Sequence, residues 1–139
     1  MGHKKLSDIF RVGTGLRLLN GIINHKKQGV ILIDLDGTIM FANSLINGLL
    51  RSGEETIRNS SVFKFVSPND AVHITNIVSS LIEEANANSA VHKVSLRIEE
   101  SIYQAFETYG VGIYSDAGML ECVELCLVEA GSPVSESTI

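Results

Sequence analysis

The chain has 139 residues, of which 45% are hydrophobic and only two are proline, a composition typical of one globular domain with a sizeable core. Its formal net charge is −5, and this excess of acid argues against a nucleic-acid-binding protein, which needs clustered Lys and Arg. No apolar run approaches the roughly 20 residues of a membrane-spanning helix, and the first residues lack the apolar core of a signal peptide. We therefore expect no membrane span and a cytoplasmic location.

The two cysteines, Cys122 and Cys126, lie in a segment that reads as a strand, where they share a face about 13 Å apart. A disulfide requires Cα atoms within about 7 Å, so a regular strand prevents these two from pairing. No further Cys or His pair has the spacing of zinc ligands along the chain. The sequence therefore predicts buried thiols and no metal site.

The first predicted element is an amphipathic helix from Leu6 to about His25, in which apolar residues recur at helical spacing. The stripe consists of Ile9, Val12, Leu16, Leu19 and Ile23. Such a helix needs a surface to cover, which is either the sheet of its own domain or a partner subunit. We assign residues 1–26 to this flanking helix, 27–130 to the main domain and 131–139 to a polar tail.

Residues Gly29–Asn43 predict a β-hairpin followed by the start of a helix. Val30–Leu35 is apolar and β-branched, Asp36–Gly37 is a two-residue turn signal, and the strand pattern resumes at Thr38. Asn43 stands directly before an apolar helical pattern, so its side chain is placed to cap the first turn of a helix.

The remainder of the chain predicts helices and then an antiparallel meander. Val62–Val66 is ambiguous between a strand and one helical turn, and Ser67–Asp70 is a start signal for the longest helix, which runs to about Ala87. The period then changes to two, which is typical of strands. Strands are predicted at 92–98, 102–114 and 119–129. Separate blocks of strands and helices indicate an α+β fold with an antiparallel sheet and helices on one face.

One family resemblance is confined to the hairpin. Asp34-Leu35-Asp36-Gly37-Thr38 resembles the D-x-D-G-T signature of haloacid-dehalogenase-type phosphatases, in which the first Asp attacks phosphorus and the second acts as acid and base. That family has a parallel sheet and clustered later acids that hold Mg²⁺, whereas this chain turns straight back into a strand and offers only Asp116 in a comparable setting. A Mg²⁺-dependent phosphatase is therefore the least favoured alternative, and we predict no catalytic residues.

A longer resemblance, from Gly29 to about Glu129, is to a PAS domain. It is carried by the hairpin, by Ala42-Asn43 at the helix start, by Ser67-Pro68-Asn69-Asp70 and by the closing meander. The resemblance implies a five-stranded antiparallel sheet in the order 2-1-5-4-3, with short helices on one face and a flanking N-terminal helix. It also implies a non-enzymatic sensory module of a signalling protein, which binds a small ligand or a partner, forms homodimers and controls an attached or separate output domain. A ligand-free PAS module that serves only for interaction and dimerisation is the alternative.

An enclosed pocket in such a fold would be lined mainly by apolar side chains. The expected lining is Ile33, Asn43, Ile46, Leu50, Phe63, Phe65, His73, Ile77, Leu81, His92, Val94 and Leu96. A small apolar ligand and a fully packed interior both fit this lining. The resemblance disfavours a cysteinyl-adduct flavin, because residues 59–65 contain no Cys, and haem bound through His73 is less favoured than a half-solvated histidine. The identity of any cofactor is left open.

The last predicted strand is apolar on both faces, unlike a strand in a sheet with one wet side. We expect the second face to be covered by the flanking helix, a second subunit or an output domain. The predicted dimer or partner interface consists of the N-terminal stripe together with Val123, Leu125 and Leu127.

Overall fold

The computed structural model describes residues 28–50, 57–84 and 88–135. Its strands and helices in chain order are β1 (Gln28–Asp34), β2 (Ile39–Ala42), α1 (Ser44–Leu49), α2 (Ala71–Glu83), β3 (His92–Glu99), β4 (Ile102–Tyr114), β5 (Leu120–Glu129) and β6 (Val134–Ser135). The predicted flanking helix, with the stripe from Ile9 to Ile23, lies outside the described residues. None of the helices in the described ranges is long and apolar enough to cross a membrane.

The strands form a six-stranded sheet in the order β2-β1-β5-β4-β3, with β6 paired to β4. Every pairing is antiparallel. The predicted α+β class and the order of the five main strands are confirmed. The polar composition of residues 131–139 does not predict β6, in which Val134 pairs with Tyr103 and Ser135 with Ile102.

The main hydrophobic core lies between one face of the sheet and the helices. α2 contributes three buried side chains, Ile74, Ile77 and Leu81. The helix approaches the sheet closely at Gly110, where an added Cβ would collide with the Ile77 side chain and lie 2.9 Å from Val123 Cγ1. The absence of a side chain at this strand position therefore sets the distance between α2 and the sheet.

The β1–β2 turn differs by one position from the predicted Asp36–Gly37 turn. Leu35 and Asp36 occupy its centre, the Gly37 N–H donates to the Asp34 carbonyl at 3.1 Å, and Gly37 has a φ of +89°. The Asp34 carboxylate accepts hydrogen bonds from the backbone N–H groups of Asp36 at 2.9 Å and Thr38 at 3.0 Å. These two hydrogen bonds explain the difference of one position, because they fix Asp34 as the first residue of the turn. Gly37, which can adopt the left-handed conformation, is then its last residue.

Asn43 caps α1, as predicted, and also joins the helix to the sheet. Its side-chain oxygen accepts from the Ile46 N–H at 3.3 Å and from the Val30 N–H at 3.1 Å. Its amide donates to the Gln28 carbonyl at 3.1 Å. Since Asn43 is 5% exposed, this one buried side chain fixes the start of α1 on β1.

The ambiguous segment before α2 forms a 3₁₀ turn at Val62–Lys64 rather than a strand. It is held against β3 by the Arg97 N–H, which donates to the Phe65 carbonyl at 2.7 Å. A second 3₁₀ turn at Pro68–Asp70 leads into α2, in agreement with the predicted start signal. α2 ends at Glu83, earlier than the predicted Ala87, because the backbone of Glu84 is extended.

Candidate functional site

A half-open cavity of about 290 Å³ lies between the β1–β2 turn, the first 3₁₀ turn and α2. We call it the α2 groove, and its lining is Ile33, Leu35, Asp36, Gly37, Phe63, Ile74, Thr75, Val78, Ser79 and Ile82. Three of the apolar side chains are well exposed: Leu35 at 40%, Phe63 at 38% and Ile82 at 57%. Contiguous exposed apolar side chains of this kind mark binding surfaces.

The polar side chains of the groove are few. They are the carboxylate of Asp36 and the hydroxyls of Thr75 and Ser79. The Thr75 hydroxyl lies 3.5 Å from the Ala71 carbonyl, one turn earlier in α2, to which it donates. A mostly apolar wall with a few polar groups is the usual composition of a small-molecule site.

The phenyl ring of Phe63 lies directly against Gly37. A Cβ on Gly37 would lie 2.7 Å from Phe63 Cε2, closer than unbonded carbon atoms approach. The turn therefore needs glycine both for its positive φ and for the space that the ring of Phe63 occupies.

We expect Gly37→Ala to lower the free energy of unfolding by about 2 kcal/mol, because it adds backbone strain and displaces Phe63. Gly118→Ala is the matched control, since Gly118 has a φ of +83° but no atom within 4 Å of an added Cβ. Urea unfolding of both variants measures the difference. Equal losses would show that the Phe63 contact contributes nothing.

The predicted pocket residues separate into distinct groups in the structure. Phe63 lines the α2 groove, Ile33 lines the groove and also belongs to the core cluster, and Phe65 packs against that cluster. The core cluster contains Ile46, Leu50, Ile77, Leu81, Val94 and Leu96. Each of these six side chains is at most 7% exposed, so they pack the core and do not line an accessible pocket.

The α2 groove was missed by sequence reasoning, although the sequence carries a signal for it. Val78 and Ile82 widen the apolar stripe of α2 beyond what one buried face requires. Ile82 is exposed and Val78 is half-buried, and both line the groove. An over-wide stripe of this kind indicates a second apolar surface on the same helix.

His73 and His92, predicted as pocket residues, contact each other instead at the start of α2 and the start of β3. Their Nδ1 atoms are 3.2 Å apart and their ring centroids 5.1 Å apart. Asp70 lies beside the pair, with its Oδ1 3.9 Å from His73 Nε2. Burial, together with the neighbouring His73, lowers the pKa of His92.

The β5 side chains on the outer face of the sheet, away from the helices, are not the ones predicted for a partner interface. Val123, Leu125 and Leu127 belong to the core cluster beneath the helices, which corrects their assignment to a partner interface. The opposite face holds a second buried apolar cluster, whose described members all come from strands. Its buried members are Val30, Leu32, Val111, Cys122 and Cys126. We call this the outer-face cluster.

A carboxylate lies inside this outer face. Glu124 is 0% exposed, pairs across the sheet with Leu32 and Val111, and has two buried side-chain oxygens that no described group hydrogen-bonds. Burial raises the pKa of Glu124 to about 7. Burial also raises the pKa of Tyr109 and that of Cys126 to about 12, and these two side chains hydrogen-bond each other.

The D-x-D-G-T sequence is part of the antiparallel β1–β2 hairpin. One oxygen of Asp34, the residue that would attack phosphorus, accepts two backbone hydrogen bonds within the turn. Within the described ranges, no group of three or more His, Cys, Asp or Glu side chains is arranged to hold a metal ion. In this hairpin the residues form and stabilise a turn between antiparallel strands, which differs from the parallel sheet of a dehalogenase-type phosphatase.

The chain has the fold of a PAS domain. The PAS domain of a Colwellia psychrerythraea protein is similar over 83% of this chain and 96% of its own, with 18% identity and a TM-score of 0.67. The Drosophila melanogaster Cycle PAS-B domain with bound ethylene glycol covers 73% of this chain and 99% of its own, with 8% identity and a TM-score of 0.62.

A sensory box sensor histidine kinase from Vibrio cholerae is similar over 88% of this chain and 96% of its own, with 18% identity and a TM-score of 0.57. At these identities the likeness establishes the fold alone. No protein-family model and no curated protein matches the sequence.

Proposed function

We propose that this chain is a sensory or regulatory PAS-type module that binds a small apolar ligand in the α2 groove. The observation that carries the proposal is the groove itself, a ligand-sized cavity whose apolar side chains remain exposed. The similarity to a sensor histidine kinase and to a PAS-B domain with bound ethylene glycol supports the same class of function.

The position of the groove suits a sensor because it joins parts of the chain that are far apart in sequence. A ligand there would contact the β1–β2 turn, the first 3₁₀ turn and α2 together. Ile74 connects the groove to the core, since it lines the cavity and is 2% exposed. We propose that occupancy shifts α2 relative to the sheet, and that the sheet transmits this shift to its outer face.

The outer face is the proposed output surface. Its apolar cluster is buried within the single chain, which fits a cover supplied by the amphipathic segment from Leu6 to His25. We propose that this segment also forms a homodimer and controls an output domain. The second candidate function is a ligand-free interaction module. It is favoured by the outer-face cluster alone and needs no occupant in the groove.

Replacing Ile82 by Ser is expected to weaken binding of the neutral fluorescent probe N-phenylnaphthylamine about tenfold, the factor that about 1.4 kcal/mol of lost apolar contact gives. Met119→Ser is the matched control, because Met119 is 68% exposed in the β4–β5 turn whereas Ile82 is 57% exposed in the groove. Both side chains are surface-exposed, so neither change should disturb folding. A fluorescence titration of the full chain measures the affinity.

The outcome separates the two candidate functions. Weaker binding in Ile82→Ser with unchanged binding in Met119→Ser supports a ligand site in the α2 groove. Equal affinity in all three proteins, or no binding by the parent chain, would contradict the proposed sensor and favour the ligand-free module.

A further inference from the structure

The pair of His73 and His92 is produced by the fold and not by proximity in sequence. The two residues are separated by 19 positions, and the α2–β3 connection returns the chain so that the imidazoles meet. Neither residue lines the α2 groove. A function for the pair would therefore be separate from the proposed ligand site.

We propose that His73 and His92 form a binding site for a divalent transition-metal ion of the zinc or copper class. Imidazole nitrogens suit these ions, and each bond to zinc is about 2.0–2.1 Å long. Two such nitrogens on one tetrahedral ion are about 3.3 Å apart. The observed Nδ1 separation of 3.2 Å matches that spacing. In the structure it is a hydrogen bond between the two rings, in which one Nδ1 carries the proton, so binding would require that proton to move to Nε2 of the same ring before both Nδ1 lone pairs could face one ion.

Asp70 supplies the usual outer partner of such a site. Its Oδ1 lies 3.9 Å from His73 Nε2, on the side of the ring opposite the shared Nδ1 position. This is an electrostatic contact and not a hydrogen bond, so the carboxylate would have to move about 1 Å closer to hold the proton on Nε2 and leave Nδ1 free to bind metal. Asp70 is itself fixed, because its other oxygen accepts from the Ser95 N–H at 2.9 Å.

The surroundings also favour binding. The His73 side chain is 36% exposed, so water can reach the site and fill the remaining coordination positions. The bound ion would fasten the start of α2 to the edge strand β3.

The test is a calorimetric titration of the metal-free full chain with Zn²⁺, for the parent and for His73→Gln, His92→Gln and Asp70→Asn. We expect one Zn²⁺ per chain, with both histidine variants losing more than the about 10- to 100-fold that removal of an outer partner costs. Asp70→Asn should fall within that about 10- to 100-fold range, because its amide oxygen still accepts from Ser95. Circular dichroism spectra and melting curves confirm that each variant is folded.

The remaining histidines of the sequence, His3 and His25, provide the control. The double variant His3→Gln/His25→Gln should bind Zn²⁺ like the parent. Three results would overturn the proposal: no binding by the parent, unchanged binding after loss of either His73 or His92, or loss of binding in the control variant.

Discussion

Replacing Asn43 by Ala is expected to lower the free energy of unfolding by about 3 kcal/mol, because two backbone donors lose their shared partner. The Val30 N–H is buried in the sheet and the Ile46 N–H lies at the buried start of α1, and both donate to the Asn43 side chain. An unsatisfied buried donor costs about 1–3 kcal/mol, and the Gln28 carbonyl also loses a hydrogen bond. Urea unfolding measures the loss.

Asn69→Ala is the control for this experiment. Asn69 is exposed in the second 3₁₀ turn, so its replacement should change the unfolding free energy by less than about 0.5 kcal/mol. A loss in Asn43→Ala no larger than in this control would contradict the role of Asn43 as the link between β1 and α1.

Replacing Glu124 by Gln is expected to stabilise the protein by about 3 kcal/mol at about pH 8 and to leave it nearly unchanged at about pH 4. Burial raises the pKa of Glu124 from 4.5 to about 7, so the folded state binds the proton more tightly than the unfolded state does. This group therefore stabilises the fold at low pH, and its contribution is lost as the pH rises from about 4.5 to about 7. Glutamine does not ionise, so the variant does not lose this stability as the pH rises.

Urea unfolding at both pH values, at one fixed protein concentration, measures this difference. Glu129→Gln is the control, because Glu129 lies on the same strand but is exposed, and it should keep the pH dependence of the parent. A Glu124→Gln variant that follows the parent at every pH would show that Glu124 is not a buried carboxylate on the outer face.

The local elements of the fold could be predicted because each depends on neighbouring residues. The Asn43 cap follows from one polar residue before an apolar helical pattern. The strand Ile102–Tyr114 was predicted with the bounds that the structure has, because aromatic and β-branched residues run between two turn signals. The order of these elements indicated an α+β fold with an antiparallel sheet, and the PAS resemblance supplied the order of its five main strands.

The assignment of the two faces of β5 failed for a physical reason. Strand alternation separates Val123 from Glu124 but does not say which face meets the helices, and both faces are apolar enough to be buried. The ionisable Glu124 was the available signal, because a carboxylate is more readily placed away from the main core.

Sequence patterns do not determine which distant segments meet, even where the wide apolar stripe of α2 indicates a second apolar surface. The groove depends on Gly37 meeting Phe63, and the histidine pair depends on the path of the chain between α2 and β3. Each contact follows from the three-dimensional arrangement of elements that were themselves predictable.

The most direct test of the proposed ligand site is a heteronuclear NMR titration of the isotope-labelled full chain with N-phenylnaphthylamine. The proposal predicts backbone shifts in the three segments that meet at the α2 groove. These are Leu35–Gly37, Phe63 and Ile74–Ile82. No shift in any of them, or shifts restricted to the outer-face strands around Glu124, would contradict a ligand site in the groove.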